Sequence, residues 1–506
     1  MKVRKKKKNK NLNSNIKHIL IVVLLLFSAL CTYIGYFEIF VAPDIIDRPD
    51  NGRKYIRENE ILRGNFYDRN GRQLTTMERV DGNTQERTYV DGDLFCHVLG
   101  YYDTKYGTDS AESIYNKYLT KNSSLSLKEL LQNGFKEVPK VGNDVTLTLD
   151  YDIQTAAYDA MDGFKGAAVV LDTETGAVLA AVSRPTFNAN NLEEDWVELN
   201  TDTDNRPLYN RAFSGLYPPG STFKVITALS ALENVSGIED ETFKDNGTLT
   251  FEKKDEDGNK VDADDYTLSN YNHIAHGTLD LKGALTVSSN VVFGQVAIEV
   301  GSSKLKETAE KFYFNQALPV QGLNTGNITS QIPQYGSDGE LAQGGIGQAQ
   351  DLATPLQMAA VAQAIANDGE MMKPHTLSKI EDASGNLVEE EPIESLGMVG
   401  EVSNIKTLQE YMLNVVEGTK GTGKNARISG IKVAGKTGTA DHMVSVYDKA
   451  GNVTGTKQGI AHSWFIGFAP YDKPKYAISV ILEENQSKSI NAAKVAGDIL
   501  KVATKK

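Results

Sequence analysis

A serine and a lysine three positions apart stand at the start of a helical pattern in the segment Tyr217-Pro-Pro-Gly-Ser-Thr-Phe-Lys224. On a helix, Ser221 and Lys224 would project from one face. A serine hydroxyl is a weak nucleophile until a neighbouring base takes its proton, and a lysine serves as that base only when burial or nearby cations lower its pKa. Unpaired backbone N–H groups at a helix start can also stabilise the oxyanion that forms during acyl transfer. The segment therefore predicts acyl-transfer chemistry, although S-x-x-K alone is a common pattern.

A second polar segment, Ser288-Ser289-Asn290, lies between two apolar patterns, residues 279–287 and 291–300. These patterns predict consecutive helices, so the segment is expected at a helix–helix junction. The Ser288 hydroxyl and the Asn290 amide could there relay a proton and orient the amide of a substrate.

A third segment, Lys436-Thr437-Gly438-Thr439, is predicted to end a strand that begins at Ile431. A glycine at such an edge lets the backbone of a ligand approach closely. The lysine and the two threonine hydroxyls can hold a carboxylate. The segment therefore predicts a binding site for a substrate that carries a free carboxylate.

The elements that must position these segments form a mixed helix and strand region, residues 146–506. The turn-rich Asp172-Thr-Glu-Thr-Gly176 between two apolar runs predicts a β-hairpin, and Thr354-Pro355 predicts the start of a helix. Strands near both ends of the region with helices between them predict an α+β fold, an antiparallel sheet covered by helices. The further predicted strands and the final helix are Ile431–Thr437, Ser463–Phe468, Tyr476–Leu482 and Ala492–Val502.

The N-terminal part predicts a membrane anchor. Residues 1–18 carry many lysines and no acid, and residues 19–37 carry no charge. We therefore expect a basic cytoplasmic tail (1–18), one transmembrane helix (19–40) and a catalytic part outside the cytoplasm. Residues 41–145 lack long helical patterns and predict a small irregular or β-rich domain, followed by the larger domain at 146–506.

The composition excludes some classes of function. The chain has 506 residues, enough for two or three domains, and a formal net charge of −13 although its first 18 residues are basic. The acidic remainder argues against binding to nucleic acid. Cys31 falls in the predicted membrane helix and Cys96 outside it, so a disulfide between them is excluded, and no zinc-binding pattern is present.

The order S-x-x-K, S-x-N, K-T-G resembles that of penicillin-binding proteins and class A β-lactamases. Other segments are similar to class B penicillin-binding proteins in particular, one of them to the start of that family's pedestal (dimerisation-type) domain and the others to its transpeptidase domain. These segments are Arg63-Gly-Asn-Phe-Tyr-Asp-Arg-Asn-Gly71, Asn210-Arg-Ala212, Gly347-Gln348 with Thr354-Pro-Leu356, and His462-Ser-Trp-Phe-Ile-Gly-Phe-Ala-Pro470. The resemblance implies the penicillin-binding transpeptidase fold, which the serine β-lactamases share, and covers nearly the whole chain after the membrane helix.

The resemblance also implies a role for each residue of the three segments. Ser221 would be acylated by the D-Ala-D-Ala end of a peptidoglycan stem peptide, with Lys224 accepting its proton. Ser288 would pass that proton to the departing D-alanine, and Asn290 would position the peptide. Lys436 would supply positive potential.

On the substrate side, Thr437 and Thr439 would bind the terminal carboxylate beside Gly438, and the backbone N–H groups of Ser221 and Thr439 would form the oxyanion hole. An amine from a neighbouring stem would then resolve the ester into a cross-link. The resemblance implies no metal or cofactor, covalent inhibition by β-lactams, and a partner that is a multi-spanning glycosyltransferase.

Rival interpretations remain open at this point: a D,D-carboxypeptidase or β-lactamase, and a non-catalytic scaffold for wall assembly. Glu410-Tyr-Met-Leu-Asn414 matches the deacylating pattern of class A β-lactamases, but its helical context favours an exposed glutamate. Gly418–Lys424 resembles a P-loop but follows a predicted helix instead of a strand. We expect His276 and His462 to be structural and Cys96 to be buried.

Overall fold

The computed structural model describes residues 10–37, 41, 61–81, 84–121, 140–252, 266–447 and 453–506. These residues divide into two compact units. One unit contains the described parts of residues 1–63, 78–86 and 125–141, and the other contains those of 64–77, 87–124 and 142–506. All residues of the candidate site lie in the second unit. The domain boundaries at 18, 40 and 145 stay predictions.

The first unit contains one long helix, Lys10–Tyr36. Its part Ile16–Tyr36 is 21 residues long with a mean hydropathy of 2.4, and none of it is buried against protein. Such a helix is long enough for a hydrocarbon core of about 30 Å. The helix overlaps the predicted span of 19–40 but begins nine residues earlier, in the basic tail.

A five-stranded antiparallel sheet forms the centre of the second unit. Its strands, in spatial order, are Ala434–Ala440, His462–Ala469, Tyr476–Leu482, Gly166–Asp172 and Val178–Arg184. The predicted hairpin supplies the last two strands, and the strands from the C-terminal region complete the sheet. The prediction of an antiparallel sheet built from both ends of the region is therefore confirmed.

Helices cover both faces of this sheet. In the strand Gly166–Asp172, Val169 and Leu171 belong to one core cluster and Ala168 and Val170 to the other, because successive side chains of a strand point to opposite faces. Two helices cover the Val170 face, Tyr151–Ala160 and Ala492–Ala503, and Pro355–Ala366 covers the other face. The predicted α+β class is confirmed.

Helix capping explains where several helices begin. Thr354 Oγ1 accepts a hydrogen bond from the N–H of Gln357 at 3.1 Å, as the Thr-Pro pair predicted. The other α-helices of the described second unit are Cys96–Leu99, Ser110–Ile114, Asn116–Leu119, Leu192–Thr201, Arg211–Ser214, Lys224–Asn234, Leu281–Val287, Asn290–Val300, Ser302–Lys311, Asp338–Gly344 and Val402–Glu417. The 3-10 turns of the described residues are Gly220–Thr222, Tyr271–His273 and Lys424–Ala426.

Smaller sheets complete the described chain. A four-stranded sheet consists of Phe66–Tyr67, Asp144–Leu147, Leu377–Glu381 and Leu387–Glu390. Two-stranded sheets pair Thr75–Asp81 with Thr84–Tyr89, Tyr102–Asp103 with Gly107–Thr108, Phe243–Asp245 with Gly277–Leu279, Thr248–Phe251 with Tyr266–Ser269, Glu370–Met372 with Ser395–Met398, and Met443–Tyr447 with Val453–Gln458.

One predicted strand is displaced. The strand predicted at Ile431–Thr437 instead runs from Ala434 to Ala440, because its antiparallel register with His462–Ala469 continues through Ala440. The segment from Lys436 to Thr439 therefore lies inside the strand and does not end it. Since this strand is at the edge of the sheet, one side of its backbone is free of a neighbouring strand of that sheet.

Candidate active site

Ser221 lies in the 3-10 turn Gly220–Thr222, directly before the α-helix Lys224–Asn234. Gly220 has a φ of +53°, and a Cβ atom there would lie 2.5 Å from Thr439 O, so only glycine fits. The sequence predicted Ser221 at or near a helix start, and the structure places it in this turn just before the α-helix.

The turn is held between two other parts of the chain. Gly220 N–H donates to Gly347 O at 2.8 Å, and Trp464 Nε1 donates to Pro218 O at 3.1 Å from the strand that neighbours the edge strand. A Cβ atom on Gly438 would lie 3.0 Å from Thr222 Cγ2. The turn and the edge strand are therefore in close contact, and Ser221 remains partly accessible.

Two fully buried lysines converge on Ser288. Lys224 Nζ donates to Ser288 O at 2.8 Å and to Asn290 Oδ1 at 2.7 Å, and lies 3.4 Å from Ser288 Oγ. Lys436 Nζ donates to Ser288 Oγ at 2.8 Å and to Thr437 O at 2.7 Å. Residues from all three predicted segments therefore lie within one hydrogen-bonded cluster.

Burial makes both lysines easier to deprotonate than lysines in water. The pKa of Lys224 is well below its usual value, first because burial disfavours the charged form and second because Lys436 repels it; Asp245 acts in the opposite direction. Burial lowers the pKa of Lys436 to about 7. The side-chain amine of Lys224 can therefore be neutral, which is the form that accepts a proton from a hydroxyl.

The segment around Ser288 forms the predicted helix–helix junction. The helix Leu281–Val287 ends at Ser288, whose backbone is left-handed (φ +61°), and the helix Asn290–Val300 follows. Asn290 Nδ2 donates to Ser269 O at 2.7 Å, so its Oδ1 is the atom that faces Lys224.

The hydroxyl-bearing part of the edge strand faces accessible space. Lys436 and Gly438 are buried, whereas Thr437 is half-buried and Thr439 is exposed. Thr437 Oγ1 lies 2.7 Å from the Oγ1 of Thr422, a residue of the P-loop-like segment Gly418–Lys424 that the sequence did not connect with this site. The buried lysine and the accessible hydroxyls together form a surface that can hold an anionic group.

Two patterns resembling other enzymes have structural roles here. Glu410 is 57% exposed and pairs with Lys282 on the surface, as the helical context predicted. Gly418–Lys424 follows the helix Val402–Glu417 and leads into a 3-10 turn, so it lacks the strand before it and the α-helix after it that a P-loop requires.

The histidine and cysteine predictions are confirmed in part. His462 Nδ1 accepts a hydrogen bond from Glu484 N–H at 3.1 Å, and burial lowers the pKa of His462 to about 4, so this residue is structural. Cys96 is buried, which raises its pKa to about 12. His276 is half-buried, and its predicted structural role stays a prediction.

Asp245 gave no functional signal in the sequence. Asp245 accepts hydrogen bonds from Ser289 and Asn270, directly behind the junction. Asp245 begins Asp-Asn-Gly, a combination typical of turns, and so resembles an ordinary loop residue. Only the fold reveals that its carboxylate is buried.

Comparison with known proteins decides the family. The penicillin-binding protein transpeptidase domain matches residues 166–501, and the penicillin-binding protein A dimerisation domain matches residues 63–145. This chain belongs to the penicillin-binding protein transpeptidase family. The predicted family and the predicted kind of enzyme, a penicillin-binding transpeptidase, are confirmed.

Individual relatives agree with this assignment. The chain is 30% identical over 440 residues to the peptidoglycan D,D-transpeptidase MrdA of Acinetobacter baumannii, covering 79% of this chain and 63% of that protein. It is similar to the D,D-transpeptidase domain of a peptidoglycan glycosyltransferase from Eggerthella lenta, with 33% identity, a TM-score of 0.74 and coverage of 88% and 99%. It is also similar to the imipenem acyl-enzyme complex of penicillin-binding protein A from Mycobacterium tuberculosis, with 26% identity, a TM-score of 0.76 and the same coverage.

Proposed function

We propose that this chain is a serine D,D-transpeptidase that cross-links peptidoglycan stem peptides and is inhibited covalently by β-lactams. The observation that carries the proposal is the convergence of Lys224 and Lys436 on Ser288, next to the turn that holds Ser221. The named relatives support the substrate class, since one is a peptidoglycan D,D-transpeptidase and another forms an acyl-enzyme with a β-lactam.

In the acylation step, Ser221 Oγ attacks the carbonyl carbon of the penultimate D-alanine while neutral Lys224 takes the hydroxyl proton. The backbone N–H groups of Ser221 and Thr439 stabilise the oxyanion. When the peptide bond breaks, Ser288 passes a proton to the nitrogen of the departing D-alanine and regains one from protonated Lys224, which becomes neutral again. The amine of a second stem then attacks the ester and loses a proton to Lys224, and Lys224 returns that proton to the departing oxygen of Ser221.

The edge strand supplies the substrate-binding surface. A stem peptide in an extended conformation can add to the free side of Ala434–Ala440, with backbone hydrogen bonds fixing its register. Its terminal carboxylate would lie near Thr437 and Thr439, where the buried Lys436 provides positive potential. Asn290 would hold the substrate amide.

The apolar helix is proposed to anchor the enzyme in the cell membrane with the N-terminus in the cytoplasm and the catalytic part outside. The lysines before Ile16 support this orientation by the positive-inside rule. We also propose the boundaries 18, 40 and 145 as the ends of the tail, the span and the pedestal. Proteolysis of intact protoplasts should remove the catalytic part if the orientation is right.

A partner is part of the proposal. Cross-linking requires glycan strands, and we propose that a multi-spanning glycosyltransferase supplies them to this enzyme. Co-expression of the two membrane proteins should give a complex that survives purification in detergent. Separate elution of the two proteins would oppose this part of the proposal only.

Labelling with a fluorescent penicillin tests the activity. The purified full chain should form a stable covalent adduct, and Ser221→Ala should form none while keeping its melting temperature within a few degrees. Rapid loss of the label would favour a β-lactamase. Labelling of the Ser221→Ala variant at the same stoichiometry would exclude Ser221 as the nucleophile.

A further inference from the structure

A buried carboxylate stands behind the Ser288–Asn290 junction. Asp245 ends the short strand Phe243–Asp245, and its side chain is fully buried. The carboxylate accepts hydrogen bonds from Asn270 Nδ2 at 2.7 Å and 2.8 Å, from Ser289 Oγ at 2.7 Å and from the N–H of Gly247 at 2.9 Å. Because a buried carboxylate is unfavourable without such donors, these groups form a dedicated site around Asp245.

The two side-chain donors hold the start of the helix Asn290–Val300. Asn270 Oδ1 accepts hydrogen bonds from the first two N–H groups of this helix at 2.8 Å and 3.1 Å, and Ser289 Oγ accepts one from the third at 3.0 Å. These N–H groups have no partner inside the helix. Asn270 and Ser289 donate to Asp245 and accept from the helix, so the carboxylate fixes the orientation of both caps.

Ser288 depends on such support. Its left-handed backbone is unfavourable for a residue other than glycine and persists only when the surrounding structure imposes it. The neighbouring Asn290 is bound through its backbone N–H to Asn270 and through its side chain to Lys224. Displacement of this junction would therefore change the contacts of both catalytic lysines at once.

We propose that Asp245 is a positioning residue of the transpeptidase: through Asn270 and Ser289 it holds Ser288 and Asn290 in the geometry that acylation requires. This inference rests on the proposed function. Asp245 acts through these neighbours, and its substitution should therefore slow acylation without abolishing it.

The test compares Asp245→Asn with a matched control, Glu112→Gln. Glu112 is also a fully buried carboxylate, bound to Arg87 Nε at 2.6 Å and to Tyr89 OH at 3.2 Å, and it lies in the segment that matches the dimerisation domain. The fluorescent penicillin is used in excess, so that the final amount of adduct gives the folded fraction and the time course gives the acylation rate constant of that fraction. A melting curve is recorded for each variant.

For Asp245→Asn we expect a ~10- to 100-fold lower acylation rate constant, because small displacements of catalytic groups have effects of this size. For Glu112→Gln we expect a lower melting temperature with the wild-type rate constant. If Asp245→Asn changes only the melting temperature or the labelled fraction, its role is structural and the inference is wrong. If Asp245→Asn does not fold, the Ser289→Ala variant is tested in its place. This variant retains the Asp245 carboxylate but removes the hydroxyl that donates to it, and it should also lower the acylation rate constant.

The pH profile provides a second readout. Among the described residues, the charged groups that act on the pKa of Lys224 are Lys436 and Asp245. Loss of the Asp245 charge should therefore move the acidic limb of the acylation profile to lower pH, which a general loss of stability would not do. Absence of any wild-type adduct would refute the proposed function, whereas a normal wild type with an unaltered Asp245→Asn variant would refute only the positioning role.

Discussion

Removing the charge of Lys436 should shift the pH dependence of acylation. The Nζ atoms of Lys224 and Lys436 lie 3.4 Å and 2.8 Å from Ser288 Oγ, so the two amines are close neighbours. The two distances put the Nζ atoms no more than about 6 Å apart, and at an effective dielectric constant of about 20 two unit charges at that separation repel by about 3 kcal/mol. The repulsion lowers the pKa of Lys224, and its removal must raise that pKa.

In Lys436→Gln we therefore expect the acidic limb of the acylation rate to move to higher pH by about 1 to 2 units, since Lys224 must be neutral to act as the base. The rate constant for a fluorescent penicillin is measured across the pH range and scaled to the plateau of each variant. Scaling separates the position of the limb from any loss of rate caused by weaker carboxylate binding.

Lys432→Gln is the matched control. Lys432 lies just before the same strand, is 57% exposed and pairs with Asp472 at 3.3 Å, so its removal changes the net charge equally without altering the buried cluster. Its profile should coincide with that of the wild type. A limb that stays in place in Lys436→Gln, or moves to lower pH, would mean that the ionisation of Lys224 does not control acylation.

Two further substitutions test the packing of the site and the hydrolase alternative. Gly438→Ala would place a Cβ atom 2.9 Å from Trp464 Cβ and 3.0 Å from Thr222 Cγ2, so the acylation rate constant should fall ~10-fold or more. The control Gly455→Ala should label at the wild-type rate, because nothing lies within 4 Å of a Cβ atom at that position. Equal acylation rates for the two variants would show that the turn tolerates displacement. Glu410→Gln should leave the lifetime of the penicillin adduct unchanged. It should alter the free energy of unfolding by less than about 1 kcal/mol, because Glu410 is exposed. A longer-lived adduct in this variant would assign Glu410 a part in deacylation.

Local sequence patterns predicted several elements closely. The strand Tyr476–Leu482 has the predicted limits, because all seven of its residues are buried and all except Ser479 are apolar. The final helix extends only one residue beyond the predicted end. The edge strand was displaced by three residues, since its limits depend on pairing with a partner strand and Lys436 and Thr437 give no apolar signal. Pairing register is a tertiary property that a single segment does not encode.

The site was predictable only where residue type and order carried the chemistry. Ser221, Lys224 and Ser288 belong to recognisable motifs, and resemblance to a family joined them before any geometry was known. The proposed positioning residue Asp245 was missed, because a sequence shows neither its burial nor its hydrogen bonds to Asn270, which lies 25 positions away. The left-handed backbone of Ser288 was equally hidden, since serine has no preference for that conformation.

The order of strands in the central sheet has a consequence for biogenesis. Tyr476–Leu482, which is synthesised after the other four strands of the sheet, lies between Gly166–Asp172 and His462–Ala469. The edge strand that carries Lys436 is connected to the early hairpin only through His462–Ala469 and this later strand, and such distant pairings form slowly. We therefore expect reactivity toward penicillin to appear only after these distant strands have paired.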